Sequence, residues 1–201
     1  MGILRSTVYQ QHKNIRLRKS LTEFWLVLSA SLLVTGMVIP QKIDPSREYQ
    51  IKAVFLFNFT QFVEWPDSVF HEPQTPLVIG ILGEDPFGTY LDKTVLGEEI
   101  NNHPLVIQRY RSVEEIKMCH ILFISQTETD HLEEIFAGLK GRSILTVGEV
   151  ADFTKQGGMI QFVTERNKIQ LQINVEATRE VDLTISSKLL RLAEIVTTQK
   201  D

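Results

Sequence analysis

The sequence predicts an α/β fold with a mixed, mostly parallel sheet, helices on both of its faces, and a β-hairpin and helix at the C-terminus. Apolar runs at Leu77–Leu82 and His120–Ser125 are typical of strands that are buried on both faces of a parallel sheet. Segments with apolar residues at helical spacing alternate with these runs, as in repeated βα units. Near the end, Lys168–Val175 alternates apolar and polar residues and closely follows Met159–Thr164, which predicts an antiparallel hairpin.

The first element is predicted to be a helix within Tyr49–Pro66. Large apolar side chains recur at i, i+4, i+8 and i+11, so one helical face carries only Ile51, Phe55, Phe59 and Phe62. Other apolar residues cover much of the remaining surface, and we therefore expect a helix that is buried on most sides. Pro66 disfavours helical geometry at the preceding residue and is expected to end the helix at Trp65. The polar residues 41–48 are interpreted as a linker.

The elements that follow are predicted from caps and spacing. Asp85-Pro86 provides an N-cap and a proline for the first turn of a helix over Phe87–Leu96. Ser112 through Glu115 matches a capping box and opens a short helix. The remaining elements are a strand over His103–Tyr110, a helix over Asp130–Leu139, a strand over Ser143–Val147, and a final helix whose apolar face carries Leu189, Leu190, Leu192, Ala193 and Val196.

Charge is distributed unevenly along the 201 residues, a length that favours one domain, here 49–198. Residues 1–23 contain five basic and one acidic side chain, a balance of +4. The remainder contains 16 basic and 24 acidic side chains, a balance of −8, and shows no basic cluster. Because nucleic-acid binding depends on clustered Lys and Arg, we exclude nucleic acid as a partner.

The N-terminus, residues 1–40, is predicted to be a signal peptide or an N-terminal membrane anchor. A basic stretch leads to Phe24–Ile39, sixteen residues without a charge. That is shorter than the span of about 20 residues that crosses a bilayer, and it fits a signal-peptide core. The nearest cleavage motif, at Val34-Thr35-Gly36, is poor, so an uncleaved anchor and a buried core helix remain open. A signal peptide and an uncleaved anchor would both export the domain.

Seven sequence blocks resemble the YfiR family, in the family's order and spacing. They are Tyr49–Pro66, GEDPFG at 83–88, CHILFIS at 119–125, LTVGE at 145–149, GGMI at 157–160, INVEA at 173–177 and SSKLLRLAEIV at 186–196. The resemblance implies a periplasmic α/β protein without catalysis that represses a membrane-bound diguanylate cyclase by protein contact. It also allows a homodimer, and it implies that release needs a competing envelope partner or another signal.

Cys119 is the only cysteine, so no intramolecular disulfide can form. Some members of the family carry a second cysteine in the strand that reads LVIGIL in this chain, where Gly80 stands. A disulfide-based releasing signal is therefore in doubt. We interpret Cys119 as a small buried apolar residue at the start of a strand.

The sequence contains no pattern typical of a catalytic, cofactor or metal site. The five histidines are scattered, without a pair at i, i+3 or i, i+4, and the chain has no GxSxG elbow, dinucleotide fingerprint or P-loop. Ligands of open α/β sheets bind beyond the carboxyl ends of the strands. The candidate small-ligand edge is therefore Gly83, Glu84, Asp85 and Ser125, with Ser186 as a helix terminus that could hold an anion. The competing interpretation of these residues is as helix caps.

The candidate partner interface comprises a tryptophan at a helix end and the predicted hairpin. Its residues are Glu64, Trp65, Ile160, Gln170, Gln172 and Asn174. Tryptophan is a frequent contact anchor, and an edge strand at 168–174 could accept another chain's strand. The alternatives are that Trp65 caps the core, that Ile160 faces the core and that the polar face of the strand is solvated.

Two functions compete on this basis. The family resemblance implies a non-enzymatic regulator that binds the periplasmic region of an inner-membrane diguanylate cyclase and lowers cyclic diguanylate. The alternative is a periplasmic small-molecule-binding module that feeds a histidine kinase or a transporter, with its pocket at the carboxyl edge of the sheet. An exported hydrolase has the least support, because no nucleophile and base can be paired.

Overall fold

The computed structural model describes residues 44–70 and 72–197. Within them the strands are β1 (Val63–Glu64), β2 (Leu77–Leu82), β3 (Glu99–Ile100), β4 (His103–Tyr110), β5 (Ile121–Ile124), β6 (Leu145–Gly148), β7 (Ile160–Glu165), β8 (Lys168–Asn174), β9 (Thr184–Ile185) and β10 (Ala193–Val196). The α-helices are α1 (Pro45–Phe62), α2 (Thr89–Val95), α3 (Leu132–Leu139), α4 (Val175–Arg179) and α5 (Ser187–Leu190). Three 3₁₀ turns lie at Asp67–Val69, Val113–Glu115 and Gln126–His131.

Eight of these strands form one mixed sheet in the order β10-β8-β7-β6-β5-β2-β4-β3. Strands β7 and β8 are antiparallel, as are β3 and β4, and the other five neighbouring pairs are parallel. Strands β1 and β9 pair with each other in a separate two-stranded sheet. The predicted fold class is therefore confirmed, including the antiparallel hairpin of β7 and β8.

The sheet separates two hydrophobic cores. In β5, Ile121 and Phe123 point into the larger core, and Leu122 and Ile124 point into the smaller one, as alternation along a strand requires. Helices α1, α2, α4 and α5 contribute to the larger core, and α3 covers the smaller one. Helices thus lie on both faces, as predicted.

Helix α1 begins earlier and is less buried than the sequence indicates. Asp44 caps it by accepting a hydrogen bond from the backbone N–H of Ser46 at 3.1 Å, so its first turn lies within the predicted linker. The packed face carries Ala53, Leu56 and Phe59, whereas Ile51 and Val54 are 37% and 41% exposed. Only one side of the helix faces the sheet. It ends at Phe62 because the next two residues pair as strand β1.

Two predicted helix caps serve other structures. The Asp85 carboxylate accepts hydrogen bonds from the N–H groups of Phe87 and Gly88, but helix α2 begins only at Thr89. Ser112 precedes a 3₁₀ turn and makes no capping bond to a backbone N–H. Glu115 instead accepts from the backbone N–H of Arg111 at 2.9 Å. The carboxylates of Asp85 and Glu115 thus satisfy the backbone of turns rather than of helix termini.

The C-terminus differs from the single helix predicted there. Helix α5 covers only Ser187–Leu190, and Ala193–Val196 forms strand β10 parallel to β8. The unpaired edge of β8 offers backbone hydrogen bonds that outweigh a weak helical pattern. Strand β8 is consequently an internal strand, and the sheet ends at β10.

The N-terminal prediction, residues 1–40, lies outside the described residues. The chain divides into units of residues 1–41 and 42–201, and the described residues belong to the second. Among the helices described here, none is both long and apolar enough to cross a membrane.

Candidate functional site

Four of the five predicted ligand residues meet at the carboxyl ends of β2 and β5. The backbone N–H of Glu84 donates to Thr127 Oγ1 at 3.2 Å, and Ser125 caps the 3₁₀ turn that contains Thr127. A Cβ atom added to Gly83 would lie 2.6 Å from Thr127 Oγ1 and 2.6 Å from a Glu128 carboxylate oxygen. The side chains of Thr127 and Glu128 therefore occupy the space beside Gly83.

Asp85 and Ser186, the other two residues to be considered, also bind groups within the protein. Asp85 forms an ion pair with Arg109 at 2.8 Å, and Arg109 also binds Asp92 at 2.7 Å. These carboxylates raise the pKa of Arg109. Ser186 caps α5, as the alternative interpretation predicted, and its N–H binds the carbonyl of Phe62. That position is beside the β1–β9 pair, away from the other four residues.

A buried polar network at the end of β6 was missed by the sequence analysis. Lys52 is 2% exposed, and its ammonium group binds carboxylate oxygens of Glu149 and of Glu48, the latter at 2.6 Å. Tyr49 donates to Glu149 at 2.8 Å, and Thr164 donates to Glu48 at 2.7 Å. Burial, followed by the bond to Glu149, raises the pKa of Tyr49. The sequence feature that could have indicated this network is a lysine, Lys52, within a mostly apolar helix.

This network fixes the amino-terminal half of α1 to the sheet. The ammonium group of Lys52 lies between acceptors on the helix and after β6, and a donor on β7, Thr164, binds the helix acceptor Glu48. Buried charges are tolerated when they are paired in this way. The arrangement is structural, because its ammonium, carboxylate and hydroxyl groups bind one another.

Trp65 lies at the amino-terminal end of the sheet. Its indole N–H donates to the backbone carbonyl of His120 at 3.2 Å, and the half-buried ring packs against the larger core. Glu64, its neighbour in β1, is exposed. Trp65 therefore caps the core and also presents surface, so both sequence interpretations of this residue are compatible with its position.

Two histidines and a phenylalanine stack beside this tryptophan. The ring of Phe70 lies 4.1 Å from His103 and 5.0 Å from His120 between centroids, with interplanar angles of 21° and 14°. His120 Nδ1 accepts a hydrogen bond from the backbone N–H of Val78 at 3.0 Å, which requires that nitrogen to be unprotonated. Burial, aided by His103, lowers the pKa of His120 to about 4. The imidazole is thus neutral at pH 7.

A groove of about 320 Å³ lies at this end of the sheet. We call it the Trp65 groove, and its lining includes Glu64, Trp65, Asp67, Phe70 and His103. Aromatic faces and two carboxylates therefore border the same space. Among the described residues, no group of three or more His, Cys, Asp or Glu side chains is arranged to hold a metal ion.

The predicted hairpin interface is largely internal. Ile160 and Asn174 are completely buried, so neither belongs to an exposed surface and this part of the prediction is corrected. The Asn174 amide donates to the Thr154 carbonyl at 3.0 Å. Gln172 is half-buried and donates to Glu194 of β10 at 2.9 Å, while Gln170 is exposed. The pairing of β10 with β8 accounts for this result, and the open edge of the sheet is β10.

Comparison with known proteins assigns the domain to a family. No curated protein matches the chain. A family model described as YfiR/HmsC-like matches residues 49–194, which include nearly all of the described sheet and its helices. Membership supports a regulatory rather than a catalytic domain, in agreement with strand ends whose polar groups are held in structural contacts. The chain belongs to the YfiR/HmsC-like family.

Proposed function

We propose that this protein is a periplasmic regulator that binds the periplasmic region of an inner-membrane diguanylate cyclase and holds the enzyme inactive. The observation that carries the proposal is the family match over 49–194. The polar contacts described above support it, because Glu84 and Asp85 at the carboxyl edge of the sheet are bound to other groups of the protein. Repression requires the domain to bind the inactive state of the cyclase more tightly than the active one.

The Trp65 groove is the surface that best suits such a partner. A half-buried tryptophan contributes a large contact area at low entropic cost, and aromatic residues are enriched among binding hot spots. The neighbouring carboxylates of Glu64 and Asp67 favour a partner segment with a basic side chain beside an apolar one. Gln170, on β8, is exposed but lies far along the chain from Trp65. It remains part of the proposed interface only as a peripheral contact.

The interface is tested by charge reversal in the full chain. Glu64→Lys is expected to reduce capture of the cyclase from solubilised membranes by at least about tenfold, since a repulsive charge then faces the basic segment. Glu165→Lys makes the same charge change at the exposed last residue of β7 and serves as the control. Equal capture by both variants would exclude the Trp65 groove as the contact surface.

Cellular cyclic diguanylate provides the functional readout. Deletion of the gene is expected to raise its level, and Glu64→Lys should raise it in the same direction while Glu165→Lys leaves it unchanged. The alternative function, a small-molecule module for a histidine kinase or transporter, predicts no change in cyclic diguanylate on deletion. A competing envelope partner is expected to displace the cyclase from the same groove.

A further inference from the structure

A second groove, distinct from the Trp65 groove, contains two cations and no carboxylate among its described lining residues. It has a volume of about 300 Å³ and is bordered by Lys117, Arg142, Ser68 and Ser143. Its apolar lining comes from Val69, Met118 and Ile144. The combination is unusual in a chain whose residues 24–201 carry a balance of −8, from 16 basic and 24 acidic side chains.

Neither cation has an acidic partner among the described residues. None of the ion pairs in the described part of the chain includes Lys117 or Arg142. The Arg142 guanidinium is held through one nitrogen, which donates to the carbonyls of Ile116 at 2.7 Å and Lys117 at 3.3 Å. The side chain is therefore positioned at the groove by neutral acceptors, and its charge is not neutralised there.

The positive charge of Arg142 acts on Cys119, another residue that lines the groove. Burial raises the pKa of the Cys119 thiol to about 12, and the charge of Arg142 acts on that thiol in the opposite direction. Cys119 itself lines the groove, as does the neutral His120. Two positive charges therefore border this groove, and its described lining residues include no carboxylate to offset them.

We propose that this groove binds a small organic anion, a carboxylate or phosphate ester carried on a short apolar body. Guanidinium and ammonium groups form charge-assisted hydrogen bonds to such head groups, and the serine hydroxyls can add further donors. The volume lies at the lower end of the range for small-molecule sites. The apolar body would pack on the surface formed by Val69, Met118 and Ile144. A bare inorganic ion would leave this apolar surface in contact with water.

This inference does not depend on the proposed cyclase partner. The groove lies where β5 begins, because it includes Cys119 and His120 just before that strand. The small-ligand edge predicted from the sequence lies at the other end of the strands, after Ile124. We therefore expect the domain to bind the anion in the absence of the cyclase.

Calorimetric titration of the purified full chain with phenyl phosphate, benzoate, inorganic phosphate and phenol tests the proposal. Both aromatic anions should bind, inorganic phosphate should bind at least about tenfold more weakly than phenyl phosphate, and phenol should not bind measurably. Lys117→Gln removes an exposed cation that joins none of the ion pairs of the described residues, and it should weaken phenyl phosphate binding about tenfold. Lys140→Gln removes an exposed charge outside the groove and is the control.

Arg142→Gln should also weaken binding about tenfold, and its unfolding midpoint is measured because Arg142 also bonds two carbonyls. Equal weakening by Lys117→Gln and Lys140→Gln would mean a non-specific charge effect and would overturn the site. Equal binding of phenol and phenyl phosphate, or no binding of either aromatic anion at millimolar concentration, would overturn it as well. Loss of cyclase capture with intact anion binding would affect only the proposed function.

Discussion

The indole N–H of Trp65 donates a hydrogen bond to the backbone carbonyl of His120, 3.2 Å away, across 55 positions of sequence. The bond connects the segment after helix α1 to the residue that precedes the central strand β5. The same histidine accepts from the N–H of Val78 in β2. One residue thus joins the first helix to two neighbouring strands, and the proposed partner surface is built on that junction.

Replacing Trp65 by phenylalanine should lower the free energy of unfolding by about 1 kcal/mol, because it removes the bond to His120 but keeps an aromatic ring. Urea unfolding followed by circular dichroism measures the change. Tyr90→Phe alters an exposed aromatic residue on α2 and should have little effect. Equal losses for the two variants would contradict a structural role for the indole bond.

The buried network of Lys52 predicts strong coupling between two residues. Lys52→Met leaves the Glu149 carboxylate buried without its cation, which should cost roughly 3–5 kcal/mol. Lys52→Met with Glu149→Gln removes both charges and keeps an acceptor for Tyr49, so it should be clearly more stable than the single variant. A double-mutant cycle measured by urea unfolding checks this coupling, and additive losses would contradict it.

Gly80 should not tolerate a side chain. A Cβ atom at this position would lie 2.7 Å from a ring carbon of Tyr110 and 2.8 Å from the sulfur of Cys119. We expect Gly80→Ala to lower the free energy of unfolding by about 1–3 kcal/mol through overpacking. The cost should shrink in a Cys119→Ala background, which removes one of the two close atoms. An unchanged cost there would place the strain on Tyr110 alone.

His120 predicts acid sensitivity of the fold. Burial lowers its pKa to about 4 in the native protein, against about 6.5 in the unfolded chain. The unfolded state therefore binds the proton first, and the stabilisation present above pH 6.5 is lost as the pH falls towards 4, by roughly 3 kcal/mol. His120→Asn retains an acceptor for Val78 but does not titrate, so its unfolding free energy should fall less over this range. Identical pH slopes for both proteins would contradict the assignment.

Local sequence patterns predicted the central strands well. Leu77–Leu82 and His103–Tyr110 have the predicted bounds. The first of these strands is buried throughout, and such a run leaves little freedom in the choice of register. The C-terminal segment was predicted as one helix, but Ala193–Val196 pairs with β8. That outcome depends on an open strand edge that only the assembled sheet provides.

The candidate sites were harder to predict for the same reason. The sequence marked Trp65 as a candidate contact anchor or a cap of the core, but its bond to His120 joins residues that are distant in the chain. Asn174 belongs to an alternating strand pattern, yet it is completely buried because its amide bonds to Thr154. Lys117 lies in the loop before β5, and Arg142 lies in the connection between α3 and β6. No local sequence motif indicates that these two segments border the same groove.

The central claim, that this domain holds a membrane cyclase inactive, is tested most directly by isolating the tagged full chain from solubilised inner membranes and identifying its partners by mass spectrometry. The account predicts a membrane protein with a cytoplasmic diguanylate cyclase domain, recovered with the native chain and lost with Glu64→Lys. Recovery of a histidine kinase or transporter instead, with no cyclase, would contradict it.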